Sequence, residues 1–293
     1  MAKSQTILIT GCSADGIGAV LALTLAKQQH RIFATARDTS KIPFELRSLP
    51  SVSVITLDVS SKESVVEAAK AVEEAGHCLD VLVNNAGFGY TMPILDVDID
   101  KAQNLYNTNV WGVVRTVQAF APQLIKSKGR VVNMSSVGSV VNTPWIGTYA
   151  SSKAAINSIS ETLRLELSPF GVSVVTILLG TVATPFHANE PIPELPETSY
   201  YAKILETITK WAKNELGPKG GSTQELVNSI VPDIVASNRN GIVWRGSYSG
   251  IIWFVTRWLP VSILVSFFFT LLYTSMKGLL AVSIQQKEVQ FLS

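Results

Sequence analysis

Short apolar runs punctuate the first 180 residues of the chain, and stretches with helical spacing separate most of them. The runs are TILIT (6–10), RIFATA (31–36), VSVITL (52–57), DVLVNN (80–85), GRVVNMS (129–135) and VSVVTI (172–177). Near-continuous apolarity over five or six residues marks strands that are buried on both faces. Between them, the AVLALTLAKQQ run, the segment opened by Ser60-Ser-Lys-Glu63, residues 98–126 and the segment carrying Tyr149 have helical periodicity. Ser60 and Glu63 have capping-box spacing, which predicts a helix start there. Strands alternating with helices predict an α/β fold, a parallel sheet covered by helices on both faces.

Past residue 180 the pattern changes. Pro185, Pro191, Pro193 and Pro196 predict an extended loop, followed by a helical stretch, SYYAKILETITKWAKNEL, and a glycine turn from Gly217 to Gly221. Tyr200, Tyr201 and Trp211 could line an apolar pocket, although aromatic residues at helical spacing more often serve as core. Lys203, Lys210 and Lys213 could meet a phosphate, although a solvated face is the favoured reading. Farther on, Trp258 to Met276 is nineteen residues without a charge, bounded by Arg257 and Lys277. As a helix it would be about 28 Å long, close to the ~30 Å hydrocarbon core of a bilayer. Pro260 would fall in its first turn, where proline is tolerated, and Trp244, Tyr248, Trp253 and Trp258 crowd the approach as interfacial aromatics do. The segment 251–293 is therefore expected to associate with a membrane, either spanning it or lying in one leaflet. A helix packed over the substrate cleft is the alternative. The strand pattern begins at residue 6, so no signal peptide is expected, and the domain preceding this tail should face the cytosol.

At 293 residues and 47% hydrophobic, the chain can build one large domain, placed at 1–250. A net charge of +2 with no Lys/Arg-rich block gives no reason to expect nucleic acid. Cys12 and Cys78 are far apart without ligand-like neighbours, and His30, His77 and His187 are scattered. Neither a disulfide framework nor a metal site is expected. His30 and His77 read as loop ends before strands, and His187 falls in the proline-rich loop.

Two local motifs carry chemistry. The first strand runs into Gly11-Cys-Ser-Ala-Asp-Gly16-Ile17-Gly18 and then a helix, the context of a dinucleotide-binding turn. Gly11 would allow the tight turn, Gly16 close approach to a pyrophosphate, and Gly18 close helix packing, with the helix N-terminus facing the phosphates. The fold class is accordingly a Rossmann-type doubly wound parallel sheet. The second strand ends Ala36-Arg37, without the acid that a ribose diol calls for. A guanidinium there suits a ribose 2′-phosphate, which predicts NADP(H). Asp15 and Asp38 would oppose that phosphate if they faced it. The second motif is Tyr149-Ala-Ser-Ser-Lys153 with Ser136 upstream. Positions i and i+4 share a helix face, so the ammonium can sit beside the phenol and pull its pKa down from ~10 toward a range useful for acid–base catalysis.

Together these residues resemble the short-chain dehydrogenase/reductase family over residues 5 to about 185. The matching landmarks are the glycine turn at 10–18, Asp58, Asn84-Asn85-Ala86-Gly87, Asn109, Ser136, Tyr149 and Lys153. The resemblance implies that Asp58 contacts the adenine, and that the turn through Asn85, Ala86 and Gly87 lines the adenine-ribose side and steadies the sheet. It implies that Ser136 polarises a carbonyl, Tyr149 acts as acid–base, Lys153 also holds the nicotinamide ribose, and Asn109 positions a proton-relay water. Two departures stand out. Four residues separate Gly11 from Gly16 where the family pattern has three, and the usual Pro-Gly after the sixth strand reads Leu179-Gly180. Val182 and Thr184 would still approach the nicotinamide amide. Residues 184–222 would form the substrate lid.

An apolar lid beside a membrane-associating tail implies a lipophilic ketone substrate. Within the family the chain looks most like fungal NADPH-dependent 1-acyldihydroxyacetone-phosphate reductases, through the Gly180–Thr184 turn, the Tyr/Lys helix, and Trp244-Arg-Gly leading into a hydrophobic tail. That resemblance implies the endoplasmic reticulum or lipid-droplet membrane as location and pairing of two copies through 98–126 and 149–167. A reductase of sterol, retinoid, terpenoid or polyketide ketones shares every catalytic residue and stays open. A non-catalytic cofactor-binding protein is disfavoured, since it has no need of the Ser136/Tyr149/Lys153 geometry.

Overall fold

The computed structural model describes residues 4–76, 78–184, 186–187 and 190–260. His77, Pro185 and most of the apolar run Trp258–Met276 lie outside the described residues. In chain order the elements are β1 (Thr6–Ile9), α1 (Ile17–Lys27), β2 (Arg31–Ala36), the single turn α2 (Phe44–Arg47), β3 (Val52–Thr56), α3 (Lys62–Glu74), β4 (Val81–Asn84), α4 (Ile99–Tyr106) and α5 (Gly112–Ser127). There follow β5 (Arg130–Ser136), α6 (Gly147–Leu167), β6 (Ser173–Leu179), β7 (Val182–Ala183), α7 (Leu205–Ala212), β8 (Gly221–Ser222), α8 (Thr223–Val235), β9 (Gly241–Arg245) and α9 (Ser249–Trp258).

Seven strands form one parallel sheet in the order β3-β2-β1-β4-β5-β6-β9. The order reverses direction at β1, which opens a crevice beyond the carboxyl ends of β1 and β4, where ligands of such sheets bind. Side chains alternate between the faces. Ile7 and Ile9 join the layer made with Leu21 and Leu25 of α1 and Ile230 and Ile234 of α8. Leu8 and Phe33 point the other way, onto Val65 of α3 and Phe120 and Leu124 of α5. Two apolar layers are why the strand sequences read as continuous hydrophobic runs. Between the layers a polar chain crosses the sheet: Thr116 Oγ1 donates to Asn84 Oδ1 (2.7 Å), Asn84 Nδ2 to Asn133 Oδ1 (2.9 Å), and Asn133 Nδ2 to Ser160 Oγ (2.8 Å). All four residues are buried, and these bonds satisfy groups that would otherwise be costly to desolvate.

Three local expectations change. Trp244 is a strand residue, paired with Leu178 in β9. Its strand is only five residues long and begins at Gly241 in the left-handed region (φ 81°), so it carried little pattern. The cap of α3 is Ser61, whose Oγ accepts from Ser64 N, and not Ser60, whose hydroxyl bonds Asp58 instead. In the lid the α-helix is confined to α7, preceded by a 3₁₀ turn at Ala202–Ile204, and Tyr200 stands 84% exposed. Tyr201 and Trp211 pack against the buried Trp145, Ile204 and Ile208. Lys210 pairs on the surface with Glu206.

Candidate active site

The glycine turn sits where β1 meets α1. Gly11 takes φ 75°, and a Cβ on it would stand 3.0 Å from Ala86 Cα. A Cβ on Gly18 would strike the Gly11 carbonyl and lie 2.6 Å from Asn85 Nδ2. The extra residue between Gly11 and Gly16 is absorbed by a turn closed from Gly16 N to Ser13 O, with Asp15 in the left-handed region (φ 61°). Ala14 N bonds Lys41 O (2.9 Å), which ties the bulge to the loop after β2. Asn85 Nδ2 donates to the carbonyls of Thr10 (2.8 Å) and Gly11 (3.0 Å), while Thr10 Oγ1 accepts from the amides of Asn85 and Ala86. The Asn85–Gly87 turn is thereby fastened to the glycine turn. An open cleft lined by Asp15, Val20, Ala183, Thr184 and Thr223 runs from there toward the lid.

The ends of β2 and β3 border the same crevice. Arg37 is exposed directly after β2. Asp38, the acid that could oppose an anion there, turns its carboxylate to Ser40 N (3.0 Å) and Ser40 Oγ (2.6 Å), bonds that hold it below the usual carboxylate range. Asp58 accepts from Ser60 N and Oγ. Val182 opens β7, which pairs with β8, Thr184 directly follows it, and Gly180 N bonds Arg245 O (2.8 Å). Ser247 O leaves no space for a side chain at Gly180, which is why the glycine is needed there even without the proline.

Ser136, Tyr149, Lys153 and Asn109 converge on the carboxyl end of β5. Lys153 is buried and donates to Met134 O (2.9 Å), with its Nζ 5.8 Å from the Tyr149 ring centroid. Asn109 lies in a π-helical turn, Asn107–Trp111, between α4 and α5, a distortion often found at functional sites. It is fully buried and grips Phe88 in both directions, accepting from N (3.1 Å) and donating to O (3.0 Å), with a further bond to Ser152 Oγ. A Cβ at Gly87 would stand 3.0 Å from Asn109 Oδ1 and 3.6 Å from Lys153 Nζ, so both groups face that glycine. Ser136 Oγ accepts from Gly138 N (3.0 Å), which leaves its proton for another acceptor.

The electrostatics differ from the expectation for the pair. Burial pushes the Tyr149 phenol up to about 12, the Ser136 hydrogen bond opposes this, and Glu190 raises it further. The Lys153 ammonium is directed at Met134 O. Burial lowers Lys153 itself to about 8. Tyr149 is therefore a proton donor at neutrality, the form a carbonyl oxygen needs. The Cys12 thiol, raised by burial to about 12, is inert beside the turn.

The lid adds residues that no motif announced. Phe186 meets the Tyr149 ring edge-on, centroids 5.5 Å apart. Glu190 accepts from Thr91 Oγ1 (2.7 Å), and His187 Nδ1 lies 3.0 Å from its Oε1. Trp145, buried in the left-handed region (φ 67°), accepts from Met92 N through its carbonyl and packs edge-on against Trp211 of α7. Single acids and aromatics in a proline-rich loop carry no spacing signal.

A parallel sheet with a glycine turn at its switch point, and a Ser/Tyr/Lys/Asn group at the next strand end, define a nucleotide-dependent oxidoreductase class. The chain belongs to the short-chain dehydrogenase family, whose model matches residues 5–194. It is 40% identical over 261 residues to a short-chain dehydrogenase of Talaromyces islandicus, covering 87% of this chain and 91% of the relative. It is 34% identical over 245 residues to the NADPH-dependent 1-acyldihydroxyacetone phosphate reductase of Schizosaccharomyces pombe, covering 82% and 81%. Among solved structures, the alcohol dehydrogenase of Thermococcus sibiricus complexed with 5-hydroxy-NADP superposes with a TM-score of 0.68 at 26% identity, over 84% of this chain and 98% of that one.

Proposed function

We propose that this chain reduces a lipophilic ketone to a secondary alcohol with NADPH. The observation that carries the reading is the convergence of Ser136, the protonated Tyr149, Lys153 and Asn109 beside a glycine turn built for a pyrophosphate. NADP(H) is the cofactor: the Schizosaccharomyces pombe relative is NADPH-dependent and the Thermococcus sibiricus enzyme is complexed with 5-hydroxy-NADP, and Arg37 stands free of Asp38 at the strand end where a 2′-phosphate would lie. Gly11, Gly16, Ile17 and Gly18 would receive the pyrophosphate, Asp58 the adenine, Asn85, Ala86 and Gly87 the ribose side, and Val182 and Thr184 the nicotinamide amide. The bound cofactor supplies the hydride. Tyr149 gives its proton to the carbonyl oxygen, which Ser136 holds by a hydrogen bond, and Lys153 and Asn109 fix the floor beneath Gly87. One hydride and one proton added to C=O give the alcohol.

Two substrate classes suit this chemistry. One is 1-acyldihydroxyacetone phosphate, the substrate named for the Schizosaccharomyces pombe relative. The other is an unphosphorylated ketone such as a sterol, retinoid, terpenoid or polyketide. Attachment to the endoplasmic reticulum or lipid droplets belongs to the same proposal. Its support is α9, which exposes Ile251, Trp253, Phe254 and Trp258 and follows a strand that ends on the catalytic edge of the sheet. Such an apolar surface has little reason to face water. The described residues contain no helix long and apolar enough to cross a membrane. Pairing of two copies through α4–α6 is supported by exposed Trp111 and Leu165.

A ketone panel followed by NADPH oxidation in detergent tests the reaction, with acyldihydroxyacetone phosphate, steroid ketones and long-chain ketones included. Absence of turnover across the panel, with NADPH bound, would count against it. For the membrane reading, the full chain should sediment with membranes through carbonate washing, and a chain ending at Tyr248 should not. A full chain that stays in the supernatant without detergent would make the tail a packed cap.

A further inference from the structure

Resting on the ketone-reductase reading, we propose that Glu190 selects the substrate class. It accepts ketones with a hydroxyl next to the carbonyl and rejects those with a phosphate in that place. The Glu190 side chain is only 4% exposed although it belongs to a surface loop. Its carboxyl group lies against the backbone of Gly89, where a Cβ would run into it. The same Cβ would come within 2.9 Å of the Phe186 ring, which itself packs edge-on against Tyr149. Glu190 and Phe186 thus form one wall beside the phenol that delivers the proton, and the carboxylate acts on that phenol electrostatically.

The carboxylate retains acceptor capacity. An ionised carboxylate offers about four lone-pair sites, and Thr91 Oγ1 fills one at 2.7 Å. His187 Nδ1 is 3.0 Å from Oε1 but is not aligned for a hydrogen bond. A hydroxyl on the substrate carbon adjacent to the ketone can donate to that oxygen. A phosphate in the same place brings negative charge to a water-poor carboxylate, where repulsion is far less screened than in solution. In 1-acyldihydroxyacetone phosphate the phosphate is borne by one of the two carbons next to the carbonyl, and in the proposed pose that carbon, rather than the acyl-bearing one, lies against this wall when the carbonyl meets Tyr149. A residue that merely latched the lid to Thr91 would impose no such preference.

The test uses the full chain in detergent with NADPH and two probes that differ only in this group, 1-hexadecanoyl-dihydroxyacetone and its 3-phosphate. Wild type should favour the hydroxyl compound in kcat/KM by about tenfold or more. Glu190→Gln, which keeps the shape and the Thr91 bond but not the charge, should cut that ratio by about tenfold. Gly89→Ala, which displaces the carboxyl group, should move the ratio the same way and guards against a misfolded lid in the first variant. A wild type that prefers the phosphate, or a Glu190→Gln ratio within about twofold of wild type, would overturn the assignment. Turnover of neither probe would tell against the reductase reading instead, and the ratio of Kd values of the two probes for the enzyme–NADP⁺ complex would then decide the role of Glu190.

Discussion

The two halves of the site are built differently. On the sheet side, Lys153, Asn109 and Ser136 hang from a strand end and two helices, and main-chain groups of Met134, Phe88 and Gly138 hold their polar atoms. On the lid side, Phe186, His187 and Glu190 belong to a loop, and their partners are mostly side chains: Tyr149, Thr91 and one another. Backbone partners cannot rotate away, so the sheet side fixes geometry to the tolerance that proton transfer demands. Side-chain partners can be exchanged without disturbing a strand. The candidate proton-transfer groups are therefore mounted where substitution is costly, and the proposed substrate contacts where it is cheap.

The contrast breaks most visibly at Tyr149. Tyr149→Phe keeps the ring against Phe186 and removes only the proton donor, so kcat should fall by about 10²–10⁴-fold while NADPH affinity stays near wild type. Single-turnover NADPH oxidation alongside a cofactor titration measures both. Activity within a few-fold of wild type would mean that another group delivers the proton.

Arg37 lies at the far end of the same strand edge and should matter less. Arg37→Asp replaces an attraction for the 2′-phosphate by a repulsion, and NADPH binding should weaken roughly tenfold to a hundredfold with NADH little changed. A wild type that binds NADH and NADPH equally would show that the guanidinium is only a solvated charge.

The sheet half was legible in the sequence and the lid half was not. Strands buried on both faces leave continuous apolar runs, Gly11 and Gly18 announce themselves by their place between a strand and a helix although the contacts that require them reach Ala86 and Asn85, and Tyr149 and Lys153 share a helix face by spacing alone. Glu190 reaches Thr91 across 99 positions, and no local periodicity encodes such a meeting. The direction of the Tyr149 shift was also hidden: a neighbouring cation can be read from i,i+4 spacing, but burial of the phenol and the nearby Glu190 cannot.

The pH profile offers a finer discrimination. Lys153 is held down to about 8 by burial, so it is charged below that pH and neutral above it. Tyr149, up at about 12, keeps its proton throughout the working range. In the reductive direction kcat/KM should be flat below about pH 8 and decline above it, as the ammonium that orders the floor of the site loses its charge. A profile level to pH 10 would detach Lys153 from turnover.

The smallest effect should come from the outer wall of the lid. Trp211 packs edge-on against Trp145, centroids 6.0 Å apart, and α7 is thereby docked over the cleft. Such an aromatic pair contributes about 0.5–1.5 kcal/mol beyond its buried area. Trp211→Ala should loosen the lid without moving Ser136, Tyr149 or Lys153, which do not touch it. KM for a long-chain ketone should then rise about threefold to tenfold at unchanged kcat, following from that energy. If kcat fell in step with kcat/KM, the tryptophan would be acting on the transition state. The division between a sheet that does the chemistry and a lid that chooses the substrate would then be wrong at this point.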